Sequence, residues 1–130
     1  MNAAVPKRRI LVIDDESVVC HTVTILLKFD GHLVITAGSG EEALGLYEPG
    51  QFDLVLTDYA MPSMTGSQLA AAIKALSPEQ PIGVLTAYAE KLRAEPHSMK
   101  YLDFVLEKPL SIESLRHAIA TFAPVSLSNN

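Results

Sequence analysis

The stretch Leu54-Val55-Leu56-Thr57-Asp58 decides how this chain folds. Residues suited to a buried strand run straight into a carboxylate, and the loop Tyr59-Ala60-Met61-Pro62-Ser63-Met64-Thr65-Gly66 follows at once. An earlier run, Ile10-Leu11-Val12-Ile13, ends the same way, in Asp14-Asp15. Taking a charge out of water at the end of an apolar strand is unfavourable unless something uses it. If the two strands are neighbours, three carboxylates converge at one edge of a sheet. Such a cluster repels itself and calls for a hard cation or a proton.

Three further apolar runs, at 33–35, 82–85 and 104–106, share this character. They are short, rich in Val, Ile and Leu, and lack period-2 alternation, which predicts strands buried on both faces, as in a parallel sheet. Helical spacing appears between them. Val19, Val23, Leu26 and Leu27 repeat along one face, with Gly31 as a stop. Ser39 and Glu42 fit a capping box before Ala43, Leu44 and Leu46. Gly66-Ser67 opens a helix carrying Leu69, Ala72, Ile73 and Leu76, which Pro78 closes. Ser111 suits the cap of a last helix carrying Ile112, Leu115, Ile119 and Phe122. Pro96 interrupts the remaining stretch, so 90–103 predicts a short or displaced fourth helix. The sum is an α/β domain: a doubly wound five-stranded parallel sheet of flavodoxin-like order 2-1-3-4-5, with helices on both faces. The domain is read as 9–122, with 1–8 a flexible N-terminus and 123–130 a loose tail or the start of a linker.

The 130 residues suit one domain with a sizeable core, and 48% hydrophobic content excludes a disordered chain. A net charge of −5 argues against direct nucleic-acid binding. Lys7-Arg8-Arg9 reads as a solvated strand flank. The single cysteine, Cys20, falls among apolar helix positions and reads as a packed, inert thiol. His21, His32, His97 and His117 lack metal-ligand spacing and read as surface or packing residues, and Met61 and Met64 as apolar anchors of their loop. No stretch is long enough to span a membrane and no apolar signal region opens the chain, so a cytoplasmic location is the default.

The carboxyl ends of the strands carry the chemistry. The first ends in Asp14-Asp15, the third in Asp58, the fourth in Thr86 and the fifth in Glu107-Lys108-Pro109. Open α/β sheets bind ligands outside these ends, where strand order reverses. Carboxylates and a backbone carbonyl are the oxygen ligands Mg2+ prefers. Thr86 is a hydroxyl donor, and Lys108 a point charge able to meet anionic oxygens. Together they suit a phosphoryl group with a carboxylate nucleophile, since that transfer needs mostly positioning and charge neutralisation. Singly, each has an ordinary reading: Asp14 or Asp15 as a helix cap, Thr86 as a turn residue, Lys108 as a solvated lysine.

Asp14-Asp15, Asp58-x-x-Met61-Pro62-x-Met64-x-Gly66, Thr86-Ala87 and Lys108-Pro109, in this order and spacing, resemble the signature of the bacterial two-component response-regulator receiver domain. The resemblance implies that Asp58 accepts a phosphoryl group from the phosphohistidine of a sensor histidine kinase or phosphotransfer protein. It implies that Asp15 binds Mg2+ directly, that Asp14 helps partly through water, and that Asp58 and the Ala60 backbone carbonyl complete the protein ligands. Thr86 would hydrogen-bond the attached phosphoryl group, Lys108 would pair with it, and the Lys108–Pro109 bond would be cis. Such a protein is a phosphorylation-controlled switch acting on an output partner or domain, and not a turnover enzyme. The family often dimerises through its last two helix–strand units, and the 90–103 stretch leaves a homodimer open here.

The chain departs from the family at three places. The position that often holds a Tyr or Phe swinging with the threonine is Val105, and alternation sends Phe104 to the opposite face. Tyr101 stands where a glycine is common before the fifth strand. Ala60 and Tyr88 occupy positions that tune hydrolysis of the acyl phosphate, and Tyr88 is bulky enough to shield it. The alternative function is a receiver-like binding module that signals without phosphorylation. An aspartyl phosphatase or flavin carrier ranks lower, because Ala60 replaces the second acid a phosphatase needs and Asp15-Glu16-Ser17 stands where a phosphate loop would lie.

Overall fold

A computed structural model describes residues 7–123. The strands β1 (Arg9–Ile13), β2 (Leu33–Ala37), β3 (Leu54–Asp58), β4 (Ile82–Thr86) and β5 (Phe104–Glu107) all pair in parallel, in the order β2-β1-β3-β4-β5. Helices α1 (Ser17–Phe29), α2 (Gly40–Leu46) and α3 (Gly66–Leu76) connect the first four strands, and α6 (Ile112–Phe122) follows the last. Two short helices, α4 (Ala89–Arg93) and α5 (Pro96–Met99), stand between β4 and β5. This is the expected doubly wound architecture and strand order.

Alternation along the strands sorts the core into two layers. Ile10, Val12, Leu54, Leu56, Leu85 and Phe104 pack against Val23 and Leu27 of α1 and Leu115, Ala118 and Ile119 of α6. Leu11, Ile13, Val55, Ile82, Val84 and Val105 pack on the other face, against Ala43 of α2, Leu69, Ala70 and Ile73 of α3, and Leu92 of α4. Each large side chain so buried contributes about 1.5–3 kcal/mol. Both faces are covered at β1, β3 and β4, which is why those runs carry no polar alternation. β2 differs: Leu33 and Ile35 are exposed. It is an edge strand, and the seven-residue α2 is too short to cover it.

The expected short fourth helix is present, and Pro96 explains its form. α4 ends at Arg93, and Pro96 takes the first turn of α5, where its missing N–H has no intrahelical role. Helix caps follow expectation with one adjustment. Ser39 Oγ accepts the Glu42 N–H and Ser111 Oγ accepts the Ser114 N–H, but Glu42 Oε1 reaches back to the Gly38 N–H and not to the cap residue itself. A full reciprocal capping box, with no counterpart among the sequence expectations, joins Thr65 and Gln68 at the start of α3.

Arg8 corrects the reading of the basic cluster as wholly solvated. Lys7 and Arg9 are exposed, whereas Arg8 is buried and its Nε–H donates to the Ala123 carbonyl at the end of α6. The Arg8 N–H donates to Nδ1 of buried His32 at 3.0 Å, and the Arg8 carbonyl accepts the Leu33 N–H at 2.9 Å. Burial holds the His32 imidazole below its ordinary value of 6.5; the nearby Arg8 charge adds to this and Asp30 opposes it. The folded state therefore favours neutral His32, while the unfolded chain binds a proton below 6.5. This contribution is fully present above the unfolded value and is lost as pH falls through the lowered native one. Urea unfolding at about pH 7.5 and about pH 5 should show the wild type losing more stability on acidification than His32→Asn, whose side-chain oxygen still accepts the Arg8 N–H.

Gly83 has a packing reason. It pairs with Phe104, and a Cβ at position 83 would collide with the Phe104 ring, which lies across β4 and stacks on Phe122 with centroids 4.5 Å apart. Overpacking of this kind costs about 1–3 kcal/mol. Gly83→Ala should lower the urea midpoint accordingly, with the spectroscopic signature of the native fold retained.

Candidate functional site

Strand order brings the acids together. β1 and β3 are neighbours at the reversal point of the sheet, and Ile13 pairs with Thr57, so Asp14 and Asp58 leave adjacent strands side by side. Asp14, Asp15 and Asp58 each offer an oxygen within 4.8 Å of the others. Asp14 and Asp58 are buried and Asp15 is exposed. Asp14 Oδ1 also accepts the Glu16 N–H at 2.9 Å, so its ordinary role in the turn before α1 and its place in the cluster coexist.

Lys108, just past β5, supplies the opposing charge. Its Nζ lies 2.8 Å from Asp58 Oδ1 and 3.5 Å from Asp14 Oδ2. Its backbone N–H donates to the Thr86 carbonyl at 2.9 Å, and the Lys108–Pro109 bond is cis, as the resemblance implied. Burial raises the Asp58 carboxyl above the usual carboxylate value; the Lys108 hydrogen bond opposes this, and the charges of Asp14 and Asp15 reinforce it. For Lys108, burial disfavours the ammonium, but its bonds to Asp58 and Asp14 outweigh that and hold its pKa above the ordinary lysine value.

The loop after β3 is anchored at both ends. Gly66 N–H donates to the Tyr59 carbonyl at 2.8 Å, and a Cβ on Gly66 would stand 2.7 Å from the Asp58 carbonyl oxygen, so only glycine permits this approach. Met61 is buried, and Met64 packs over Gly40 at the start of α2, which fits their reading as anchors. Ala60 is exposed in the first bend of the loop, two residues past Asp58. Ser63 adopts φ 70°, the left-handed region that a non-glycine residue seldom enters.

Thr86 closes β4 one residue beyond Leu85, the partner of Asp58 in the sheet. Its Oγ1 accepts the Tyr88 N–H at 3.0 Å. Tyr88 is 72% exposed, so the expectation that it shields the acceptor finds no packing to support it. Val105 is buried in the layer with α3 and α4, and its carbonyl accepts from the Arg93 guanidinium at 3.1 Å; Phe104 faces the opposite layer, as alternation predicted. Cys20 is half-buried on α1, and burial raises its thiol pKa, with Asp14 and Glu42 adding to the effect, which suits an inert thiol.

One set of contacts had no sequence signal. Ser67 Oγ donates to the Ser98 carbonyl at 2.6 Å, and the Tyr59 hydroxyl lies 3.3 Å from Ser98 Oγ, which donates to Glu95 Oε1 at 3.2 Å. These fasten α5 to the loop after β3 and to the start of α3. A serine or tyrosine in a polar stretch is too common a residue to announce such a contact.

The donor set is oxygen-only and carries an excess of negative charge over the single Lys108, which fits a hard divalent cation. The family model for the response regulator receiver domain matches residues 10–120. This chain belongs to that family. It is 37% identical over 108 residues to the transcriptional regulatory protein ZraR of Escherichia coli K12, covering 82% of this chain and 24% of that protein. It is 44% identical over 92 residues to the two-component response regulator ORR1 of Oryza sativa subsp. japonica, covering 63% of this chain and 40% of that one. The autoinducer 1 sensor kinase/phosphatase LuxN of Vibrio campbellii is 32% identical over 113 residues, 87% of this chain. The receiver thus spans only 13% of LuxN, 24% of ZraR and 40% of ORR1. Among solved structures, the response regulator protein TrrA of Thermotoga maritima in complex with Mg(2+)-BeF superposes with a TM-score of 0.81 at 31% identity, covering 88% of this chain and 98% of that one. Among the described residues of the present receiver, no helix is long and apolar enough to cross a membrane.

Mg2+ in excess should raise the thermal midpoint of the wild type, since a ligand at about 100 times its dissociation constant adds about 2.7 kcal/mol. Asp15→Asn should lose most of that gain. Equal stabilisation of the two proteins by Mg2+ would remove Asp15 from the ligand set.

Proposed function

We propose that this receiver is a phosphorylation-controlled switch in which Asp58 is the phosphoryl acceptor. The observation that carries this reading is the Lys108 ammonium bonded to Asp58 within a cluster of three converging carboxylates. The donor is the phosphohistidine of a sensor histidine kinase or of a phosphotransfer protein. An Asp58 carboxylate oxygen attacks the phosphorus, the P–N bond breaks, and its electron pair returns to the imidazole. Asp15, Asp14, Asp58 and the Ala60 carbonyl would hold Mg2+, which supplies charge neutralisation at the phosphoryl oxygens. Lys108 exchanges its bond to Asp58 for one to a phosphoryl oxygen. The Thr86 hydroxyl, already accepting from Tyr88, has its own proton to donate to another.

Phosphorylation would bias an equilibrium between two arrangements of the helices around the site and so present a surface to an output partner or output domain. The receiver assists its own phosphotransfer and dephosphorylation and turns over no other substrate. Val105 favours the second reading, a module that signals without phosphorylation, but a set of mutually repelling carboxylates has no use in such a module.

Incubation with Mg2+ and a small phosphodonor, followed by intact-mass measurement, should add one phosphoryl group to the wild type and none to Asp58→Asn. Lys108→Ala should slow the addition by about 10²-fold, the usual cost of losing one transition-state donor. An unmodified wild type would favour the phosphorylation-independent module.

A further inference from the structure

In this chain, the residue that could swing with Thr86 is an aliphatic one, Val105, packed in the core. Position 105 therefore offers no aromatic side chain between Thr86 and the α4–α5 face. Tyr59 is the residue after Asp58, and its backbone is held on both sides: its N–H donates to the Leu85 carbonyl at 3.0 Å, and its carbonyl accepts the Gly66 N–H at 2.8 Å. Its ring is half-buried against the layer that also holds Leu92 of α4 and receives Met99 of α5. Its hydroxyl reaches Ser98 Oγ at 3.3 Å. Ser98 Oγ donates to Glu95 Oε1, so the proton order along the chain is set: the Tyr59 hydroxyl donates to Ser98 Oγ, and that hydroxyl donates to the Glu95 carboxylate.

α5 itself is a separate four-residue piece, set off from α4 by the break before Pro96 and joined to it by the Glu95 N–H, which donates to the Leu92 carbonyl at 3.1 Å. α4 is tied to β5 through Arg93 and the Val105 carbonyl, while α5 is tied to the acceptor loop and α3 through Ser98. Of the two bonds that tie Ser98 to the loop after β3 and to α3, the one from Ser67 is short at 2.6 Å and the one from Tyr59 is long at 3.3 Å. The longer bond is the weaker and yields first when the loop moves.

We propose that the Tyr59–Ser98 hydrogen bond carries the state of Asp58 to α5, and that occupation of Asp58 breaks it and loosens α5. This rests on Asp58 being the phosphoryl acceptor. It adds Tyr59 and Ser98 as positioning residues that act through the loop, in place of an aromatic at position 105. Coupling of this kind is reciprocal, and α5 is the two-state element that both ends bias.

Backbone-amide hydrogen exchange of 97–100, with Mg2+ and beryllofluoride as the phosphoryl mimic, tests the proposal; fluorine NMR reports occupancy independently. The wild type should exchange about fivefold faster or more at these amides when Asp58 is occupied. Tyr59→Phe and Ser98→Ala should keep the fluorine signal of bound beryllofluoride, show fast exchange already without it, and lose the response. Ser98→Thr, which keeps the hydroxyl, should restore the response, and the Tyr59→Phe, Ser98→Ala double variant should behave as either single one. An occupied wild type whose 97–100 amides are unchanged or slowed overturns the coupling and leaves the acceptor reading standing. So does a Tyr59→Phe variant that responds like the wild type. A wild type with no fluorine signal dependent on Asp58 overturns the acceptor reading and the coupling with it.

Discussion

Three carboxylates held within 4.8 Å of one another repel strongly, and Lys108, delivered from the end of β5, offsets this by pairing with the two buried ones, Asp58 and Asp14. Near a protein surface, two unit charges at such separations interact by roughly 4 kcal/mol, comparable to a large share of a domain's net stability. The balance requires β1 and β3 to be neighbours, so that Asp14 and Asp58 meet, and it requires β5 to lie beyond β4, so that Lys108 approaches beside Thr86. The same charges set the chemistry. Burial and the neighbouring acids raise the Asp58 carboxyl, while the Lys108 ammonium favours its ionised form.

The remainder of the domain keeps that geometry rigid. The two apolar layers clamp β1, β3 and β4 on both faces, so the strand ends that carry the acids have little freedom. Gly66 lets the start of α3 close on the Asp58 carbonyl, and Thr65 with Gln68 satisfies the first turn of that helix. On the other face, Gly83 makes room for Phe104, whose ring then stacks on Phe122 and secures α6. The aromatic next to position 105 is thus spent on packing α6, and the α4 side of the sheet is left with Val105.

The segment between β4 and β5 is built as two short helices with separate attachments, one to β5 and one to the loop after β3. Pro96 is the cause of that division, since it cannot continue α4 and is accepted in the first turn of α5. The matched relatives include a sensor kinase/phosphatase and a transcriptional regulatory protein, of which the receiver is 13% and 24%. One receiver unit therefore occurs within proteins of quite different remainder.

Strand runs ending in Asp14-Asp15, Asp58, Thr86 and Lys108 were legible because a parallel sheet needs apolar strands and uses their carboxyl ends. The interruption at Pro96 was legible too, since proline acts on its own backbone whatever surrounds it. The burial of Arg8, the exposure of β2 and the Tyr59–Ser98–Ser67 contacts were not, because each depends on the arrangement in space: His32 and Ala123 meeting Arg8, β2 standing at the edge of the sheet, and α5 lying against the loop after β3. By itself the sequence determined which groups this protein possesses and at which strand ends they stand, since periodicity and chain punctuation are local properties. Only the tertiary structure decided their distances, their charge balance and the hydrogen bonds between Tyr59, Ser67 and Ser98, because electrostatics and hydrogen bonds depend on separation in space.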